Sequence, residues 1–506
     1  MSDRLAAIER ETFDVAIIGG GIIGCGMARD AALRGLRVVL FERADFGGGT
    51  TAASTRIVHG GLRYLQTGDF RLVRMDLRER ETLLRIAPHL VKPLQFIIPF
   101  ASVGGLQRLK LRIGLALYDA LTTSSLPRHS IGRDEAAYYD ARIDSPERLS
   151  VENLLDATAH GAKVFNYMEV TGAVRDGARL EGVRVRDRLT HAKAIVTARV
   201  TVNASGPWFD RVAGVLEGPL PDRLRTTKGV HLVCRPLTDR ALVLFSRVDG
   251  RLMFAIPREG LTWLGPTDTD FSGDPASATA TSDDVEYVLD SLRHAFPSIR
   301  TDDVLYTSVG LRALVMQRGR PSSVSRMHRV IDGELAGIPG LVSIMGGKIT
   351  GFRAIAEDAT DTICRRLGVA ARARTADEPL PGARSPRTAP ASGISAHLYA
   401  LYGSCAADVL RLAEERVDLS HPLSPKYPDI AAQVAFAARQ EYCVTVADFI
   451  RRRSLLGASA DQGWDAAPAV AAVLAREFGW TADRVKQETD AYARDIERTC
   501  SFRTKP

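Results

Sequence analysis

The chain has 506 residues, 45% of them hydrophobic and 25% charged, with a formal net charge of +7. That length predicts two or three domains of a soluble protein with ample buried core. The positive balance favours an anionic partner such as a phosphate ligand or acidic lipid. The basic residues are scattered, not gathered into a tail, so no nucleic-acid partner is expected.

Six cysteines lie far apart without metal-ligand spacing, which points to a reducing compartment and no metal site. The charged N-terminus MSDRLAAIERETFD lacks the apolar core of a signal peptide. No run of about 18 apolar residues occurs, so no bilayer crossing is expected.

The segment FDVAIIGGGIIGCGMARDAALRGLRVVLFER predicts a strand over Phe13–Ile18, a helix over Cys25–Arg34 ended by Gly35, and a strand over Val38–Phe41. Gly19 permits a tight turn, Gly21 lets a pyrophosphate approach the backbone, and Gly24 lets helix and strand pack closely. The free N–H groups at the helix start suit phosphate. Glu42 stands where a carboxylate can bind a ribose 2′-hydroxyl, which fits FAD or NAD. Cys25 reads as core packing.

The next stretch, ADFGGGTTAASTRIVHGGLRYL, is a Gly/Thr/Ser loop in place of a second regular α/β repeat. Thr50, Thr51, Ser54, His59 and Gly60 are its candidate cofactor contacts. Further on, GGLQRLKLRIGLALYDAL carries Leu106, Leu109, Ile113, Leu117 and Leu121 at helical spacing among Arg108, Lys110 and Arg112. Such a helix either lies on an anionic bilayer or packs on a core with a solvated basic side.

ARVTVNASGPWFD predicts a strand over Val200–Asn203, then a small-residue turn with Ala204 and Gly206, then a helix opened at Pro207. KGVHLV places His231 in an apolar strand. RLMFAIPREGLTWLGPTDTDF predicts two strands around an Arg258-Glu259-Gly260 turn and, with neighbouring strands, an antiparallel sheet roofing the site. Asp268 reads as a ligand contact or a turn residue. GLVSIMGGKITGFR gives a third strand–Gly–helix junction, with Gly347, Lys348 and Thr350. Three such junctions suggest one long cofactor held by distant parts of the chain. Residues 373–393 read as a Pro/Ala/Ser/Gly linker, and 394–506 as a helical bundle serving packing or dimer formation, with a Thr445-x-x-Asp448 cap before FIRRRSLLG, itself a second basic-apolar patch.

At this point the sequence resembles the FAD-dependent (aerobic, quinone-linked) glycerol-3-phosphate dehydrogenases, within the D-amino-acid-oxidase-like flavoproteins. The matching pieces are IIGGGIIGCGMARDAALRGL, HGGLRYL with DFRLVRMDLRERETLLRIAPHL, NASGPW, KGVHLV, GPTDTDF, VGLRAL and GGKIT. The chain departs from the family's pattern at Ile23, Pro266, Ala313 and Gly351-Phe352, the last three in pieces assigned to the substrate side. The resemblance implies an α/β fold with a Rossmann-like FAD-binding domain (12–95, 150–225, 315–372), an antiparallel-sheet substrate or cap domain (96–149, 226–314) and a C-terminal α-helical domain. It implies oxidation of sn-glycerol 3-phosphate to dihydroxyacetone phosphate by hydride transfer to flavin N5, with electrons passed to membrane quinone. The alternatives are an oxygen-using glycerophosphate oxidase, a dehydrogenase of another polyol phosphate, and an amine or amino-acid oxidase. The implied location is cytoplasmic, peripheral on the cytoplasmic face of the inner or plasma membrane. A phosphorylated substrate calls for converging cations. Arg63, Arg312, Arg326 and Lys348 are the candidates, with Tyr64 beside the first. Lys348 also suits the flavin N1/O2 edge. His231, with a pKa expected near neutrality, is the candidate base, although a strand histidine of this kind is as readily a core residue.

Overall fold

The computed structural model describes residues 5, 8–65, 68–102, 104–122, 124–218, 221–316, 327–385 and 392–503. The β-branched run Thr12–Ile18 forms the central strand of a sheet whose strands on either side are parallel to it, Val38–Phe41 and Lys163–Phe165 on one side, Lys193–Asn203 and Leu341–Met345 on the other. Arg329–Asp332 adds an antiparallel edge, and the hairpin Met168–Asp176/Arg179–Asp187 leans on Lys193–Asn203. The register sets Ile18 opposite Phe41 on one side and Asn203 on the other, with Asn203 opposite Ser343. The glycine turns after three of these strands therefore emerge side by side at one carboxyl edge, the place where open α/β sheets hold ligands. The helix Ile22–Leu33 is buried along nearly its whole length. Its charged residues are paired inside, Arg29 with Asp156 at 2.6 Å and Arg34 with Asp30 at 2.6 Å.

A second sheet covers that edge. Leu224–Cys234 pairs antiparallel with Val304–Val315 along its length and continues through Leu261–Gly265, Leu252–Arg258 and Ala241–Phe245 to Val91–Pro99 and Glu135–Ile143. One join, Ala241–Phe245 with Val91–Pro99, is parallel. The two strands expected around Arg258-Glu259-Gly260 form this hairpin, Glu259 and Gly260 taking φ of 47° and 71°. The Gly105–Ala120 helix buries only Leu115 and Tyr118, while Leu106, Leu109 and Ile113 are 70%, 55% and 61% exposed. The core-facing alternative therefore fails for Leu106, Leu109 and Ile113, whereas Leu121 at the far end of the stripe packs against the core.

The last part of the chain builds its own core from helices such as Ala431–Gln440, Ala467–Phe478 and Ala482–Thr499, with a short ribbon, Pro422–Ser424/Tyr427–Ile430, that no sequence pattern announced. Two expectations need correction. The stretch read as a linker is packed in its first half: Thr375 and Leu380 are buried, Arg353 Nη1 donates to Thr375 Oγ1 at 3.2 Å, and the Leu380 N–H donates to Ile86 O at 2.9 Å. Residues 386–391 lie outside those described. The FIRRR segment is no surface patch, because Phe449, Ile450 and Arg453 are buried and each arginine faces a carboxylate. Arg453 meets Asp45 with two bonds of 2.8 Å, and both side chains are fully buried. Arg452 Nε adds a 2.5 Å bond to the same carboxylate, and Arg148 pairs with Glu441. The Arg148–Glu441 pair and the three bonds to Asp45 fasten the helical domain to the rest of the chain.

Candidate functional site

Between the glycine edge and the second sheet lies a cavity of about 1210 Å³. At its nucleotide end the backbone has the shape a dinucleotide needs. A Cβ on Gly24 would stand 1.9 Å from Gly19 O, and one on Gly19 would stand 2.6 Å from Ala204 O, so helix, strand and neighbouring turn touch without side chains. A Cβ on Gly21 meets nothing nearer than Thr51 Oγ1 at 3.6 Å, which leaves open space above the helix start. Gly21 caps that helix without a side-chain bond, so the dipole end faces the cavity. Glu42 follows the second strand and accepts from Gly20 N at 2.7 Å and Ala44 N at 2.8 Å. Burial raises its carboxyl above the ordinary value, and those two N–H bonds work against the shift. Trp208 Nε1, buried and without a partner, lines the same space. These features fit FAD: a bare pyrophosphate approach, a carboxylate for ribose and an unused donor.

The Gly/Thr/Ser loop runs along the cavity. Thr51 Oγ1 accepts from Ile22 N at 3.1 Å, Thr50 Oγ1 donates to Leu311 O at 2.6 Å, and Ser54 Oγ accepts from Arg56 N at 3.3 Å. A Cβ on Gly310 would stand 2.9 Å from that of Ala53, so the loop lies flat on the second sheet. Ala204, Gly206, Gly347 and Thr350 also line the cavity, Thr350 Oγ1 accepting from His59 N at 3.3 Å. Gly60 does not. A Cβ there would strike Leu77 at 2.3 Å and the Tyr118 hydroxyl at 2.4 Å, so its smallness serves packing against the helix Phe70–Ile86.

At the other end cations gather. Lys348 Nζ bonds Asp76 and lies 4.6 Å from the Tyr64 ring centroid. The Arg63 guanidinium lies 5.4 Å from the same ring and, among the described residues, has no ion-pair partner. A Cβ on Gly61 would be 2.3 Å from the Tyr64 ring, so the second glycine of HGG makes room for that ring. Across the cavity Arg312 donates to Asp268 Oδ1 at 3.0 Å and Thr267 O at 3.1 Å, its guanidinium filling the gap above Gly229. Asp268, read as a ligand contact or turn residue, also pairs with Arg251 at 3.3 Å and so orients Arg312. Arg326 lies outside the described residues.

His231 lines the cavity between these groups, its Nε2 3.0 Å from Thr55 Oγ1 and its Nδ1 buried without a partner. The near-neutral pKa expected for it is wrong. Burial, helped by the Arg312 and Arg56 charges, pushes it down to about 3, so the ring is neutral across the physiological range. His59 is likewise held well below its ordinary value by burial and by Lys348 and Arg63. Asp76 was not foreseen. It sits in an Arg/Glu-rich helix where its only mark is the i,i+4 spacing to Arg80, and that arginine in fact pairs with Asp140. Of the atypical positions, Ile23, Pro266 and Ala313 line the cavity, whereas Phe352 is buried against Gly26.

Residues 14–356 match the family described as FAD dependent oxidoreductase, and residues 373–485 match the C-terminal domain of alpha-glycerophosphate oxidase. A glycerol-3-phosphate dehydrogenase of Synechocystis is 33% identical over 97% of this chain and 98% of its own length. An aerobic glycerol-3-phosphate dehydrogenase of Staphylococcus haemolyticus is 30% identical over 88% of this chain and 87% of its own. The structure of the glycerol-3-phosphate dehydrogenase from Bacillus halodurans complexed with FAD has a TM-score of 0.77 at 28% identity, covering 100% of this chain and 98% of that one. With the glycine edge, the cation-lined cavity and the C-terminal domain all accounted for, the chain belongs to the glycerol-3-phosphate dehydrogenase family of FAD-dependent oxidoreductases.

Proposed function

We propose that the protein oxidises sn-glycerol 3-phosphate to dihydroxyacetone phosphate on bound FAD and passes the electrons to a membrane quinone. The observation that carries the chemistry is the meeting of Lys348, Arg63 and Arg312 around one cavity continuous with the glycine edge. Gly19, Gly21 and Glu42 would hold the adenosine and pyrophosphate part of FAD, and Lys348, steadied by Asp76, would face its ring. FAD, when bound, supplies N5 as acceptor of the hydride that leaves the carbinol carbon with both electrons of the C–H bond. Arg63 and Arg312 hold the substrate dianion from opposite sides, guanidinium to phosphate. The hydroxyl proton passes to a His231 ring nitrogen as the carbonyl forms. A dianion on Arg312 offsets one of the charges that depress this imidazole, so substrate makes His231 a stronger base than it is in the free enzyme, although burial, the larger cause, stays. The roofing sheet keeps water from the reacting atoms.

Anaerobic addition of glycerol 3-phosphate to the yellow protein is expected to bleach the flavin band, and glycerol to leave it unchanged. Equal bleaching by both, or by neither, sinks the reading. Stopped-flow reoxidation by quinone against oxygen separates the dehydrogenase from the oxidase, and a panel of polyol phosphates tests the substrate. The exposed leucines of Gly105–Ala120, with Lys110 and Arg112 beside them, support docking on an anionic bilayer as the route to quinone. No described helix is long and apolar enough to cross a membrane. Sedimentation of the pure protein reads self-association as a dimer.

A further inference from the structure

We propose that Arg258, Arg451 and Tyr306 hold a phosphate-class oxyanion in a pocket beside His231, where the second sheet meets the C-terminal domain. All three line the same cavity as His231, and a companion cavity of about 30 Å³ is lined by Arg56, His231, Arg258 and Trp263. Strand alternation puts the groups together. Ile256 lies opposite Trp263, Arg258 follows two residues on, and Val233, two residues after His231, lies opposite both Trp263 and Tyr306. One face of the sheet thus carries His231, Trp263, Tyr306 and Arg258.

Each of these side chains keeps a buried donor with no acceptor. Arg258 Nη2 donates to Asp144 O at 3.2 Å, its guanidinium lies 5.0 Å from the Trp263 ring centroid, and its Nη1 is buried with no partner. Among the described residues no carboxylate pairs with it. Glu147 is engaged at both oxygens by Arg56, and Glu259 is exposed at the turn. Arg451 uses Nε on Asp495 and Nη1 on Gln462, each at 2.9 Å, and leaves Nη2 buried and unused. The Tyr306 hydroxyl, in a side chain 3% exposed, and the buried Trp263 Nε1 have no partner either. A buried guanidinium without counter-charge is costly, and a set of donors with no acceptor is what a tetrahedral oxyanion satisfies. The electrostatics agree. Burial and the Arg56 charge bring Arg258 down to about 10, and burial pushes Tyr306 up to about 12, which keeps its hydroxyl a donor.

The dianion is either the one carried by the polyol phosphate, in which case the site rests on the function proposed above but takes the phosphate in place of the Arg63 and Arg312 pair, or a free phosphate ion held in addition to the substrate. Calorimetric titration of the flavin-loaded, full-length protein with inorganic phosphate tests the site without turnover, so its outcome is independent of flavin bleaching. Relative to wild type, Arg258→Met is expected to weaken phosphate binding about tenfold or more, and Tyr306→Phe, which removes one oxygen, about threefold or more. If the dianion belongs to the substrate, phosphate inhibits competitively and the KM for glycerol 3-phosphate rises in step in both variants. If it is a free ion, phosphate alters kcat rather than KM, and Arg258→Met removes that effect. Wild-type protein that takes up no phosphate, or variants that bind it as wild type does, overturn the site; should Arg258→Met fail to fold, Tyr306→Phe decides alone.

Discussion

The Lys348 ammonium is bonded to Asp76, a carboxylate 272 positions earlier in the chain, in a side chain with no exposure. Burial pushes the Asp76 carboxyl up, and Lys348 offsets that only in part. Removing one partner leaves the other charge without its counter-ion, which costs more than removing both. Asp76→Asn is therefore expected to lose roughly 3 kcal/mol in denaturant unfolding of the loaded protein. The double variant Asp76→Asn/Lys348→Met is expected to lose less than the sum of the two single changes. Additive losses would show that the pair does not act as a unit.

Two glycines of the same motif are expected to fail differently. A methyl on Gly24 collides with Gly19 O, so Gly24→Ala breaks the contact between helix and strand and lowers the thermal midpoint as well as flavin content. A methyl on Gly21 points into open space, so Gly21→Ala keeps its circular dichroism and thermal midpoint but purifies pale. Equal flavin content in Gly21→Ala and wild type would place the pyrophosphate elsewhere.

The buried imidazole of His231 makes stability depend on acid. Its folded pKa of about 3 lies below the ordinary 6.5, so between those values the unfolded chain binds a proton that the folded chain refuses. Stability from this group is full above about pH 6.5 and falls as the pH drops toward 3, by about 3 kcal/mol at pH 4. His231→Gln removes that dependence, so the stability gap between wild type and variant is expected to shift in favour of the variant by this amount from pH 7 to pH 4. In the free enzyme no histidine ionisation from His231 is expected in kcat/KM between about pH 5 and 8. A limb in that range that vanishes in His231→Gln would contradict the assignment of a neutral ring.

The Gly105–Ala120 helix offers a surface test. Ile113→Asp with Leu109→Asp places two charges on its exposed apolar side and touches nothing in the core. Binding to anionic vesicles in a sedimentation assay is expected to drop about tenfold while flavin content stays constant. Unchanged vesicle binding would move the membrane contact to another face.

The strand–glycine–helix unit at the N-terminus was legible because every residue that decides it lies within one short local stretch. Val38–Phe41 emerges as the pattern had it, and the Arg258-Glu259-Gly260 hairpin likewise follows from alternation and a turn. The helix opens three residues earlier than composition suggested, at Ile22, since glycines tolerated in a first turn mask its start. What local pattern could not carry was pairing at a distance. Nothing around Asp76 tells that Lys348 will reach it. The three arginines of FIRRR look like a solvated patch until Asp45, Asp448 and Asp495 are brought against them. The depressed basicity of His231 has the same origin, because the burial that lowers it, and the guanidiniums that add to it from Arg312 on a neighbouring strand and Arg56 on a loop, are set by chain distant in sequence.

Asp45, three positions past Glu42 in the loop that lines the cavity, owes its charge to arginines 407 and 408 positions further on. Burial alone would raise its carboxyl; Arg453 and Arg452 outweigh this and hold it below the usual carboxylate range. A nascent chain leaving the ribosome N-terminus first exposes the nucleotide loop long before the groups that neutralise it exist. The loop can be locked only once the helical domain that carries Arg452 and Arg453 has followed it out of the ribosome.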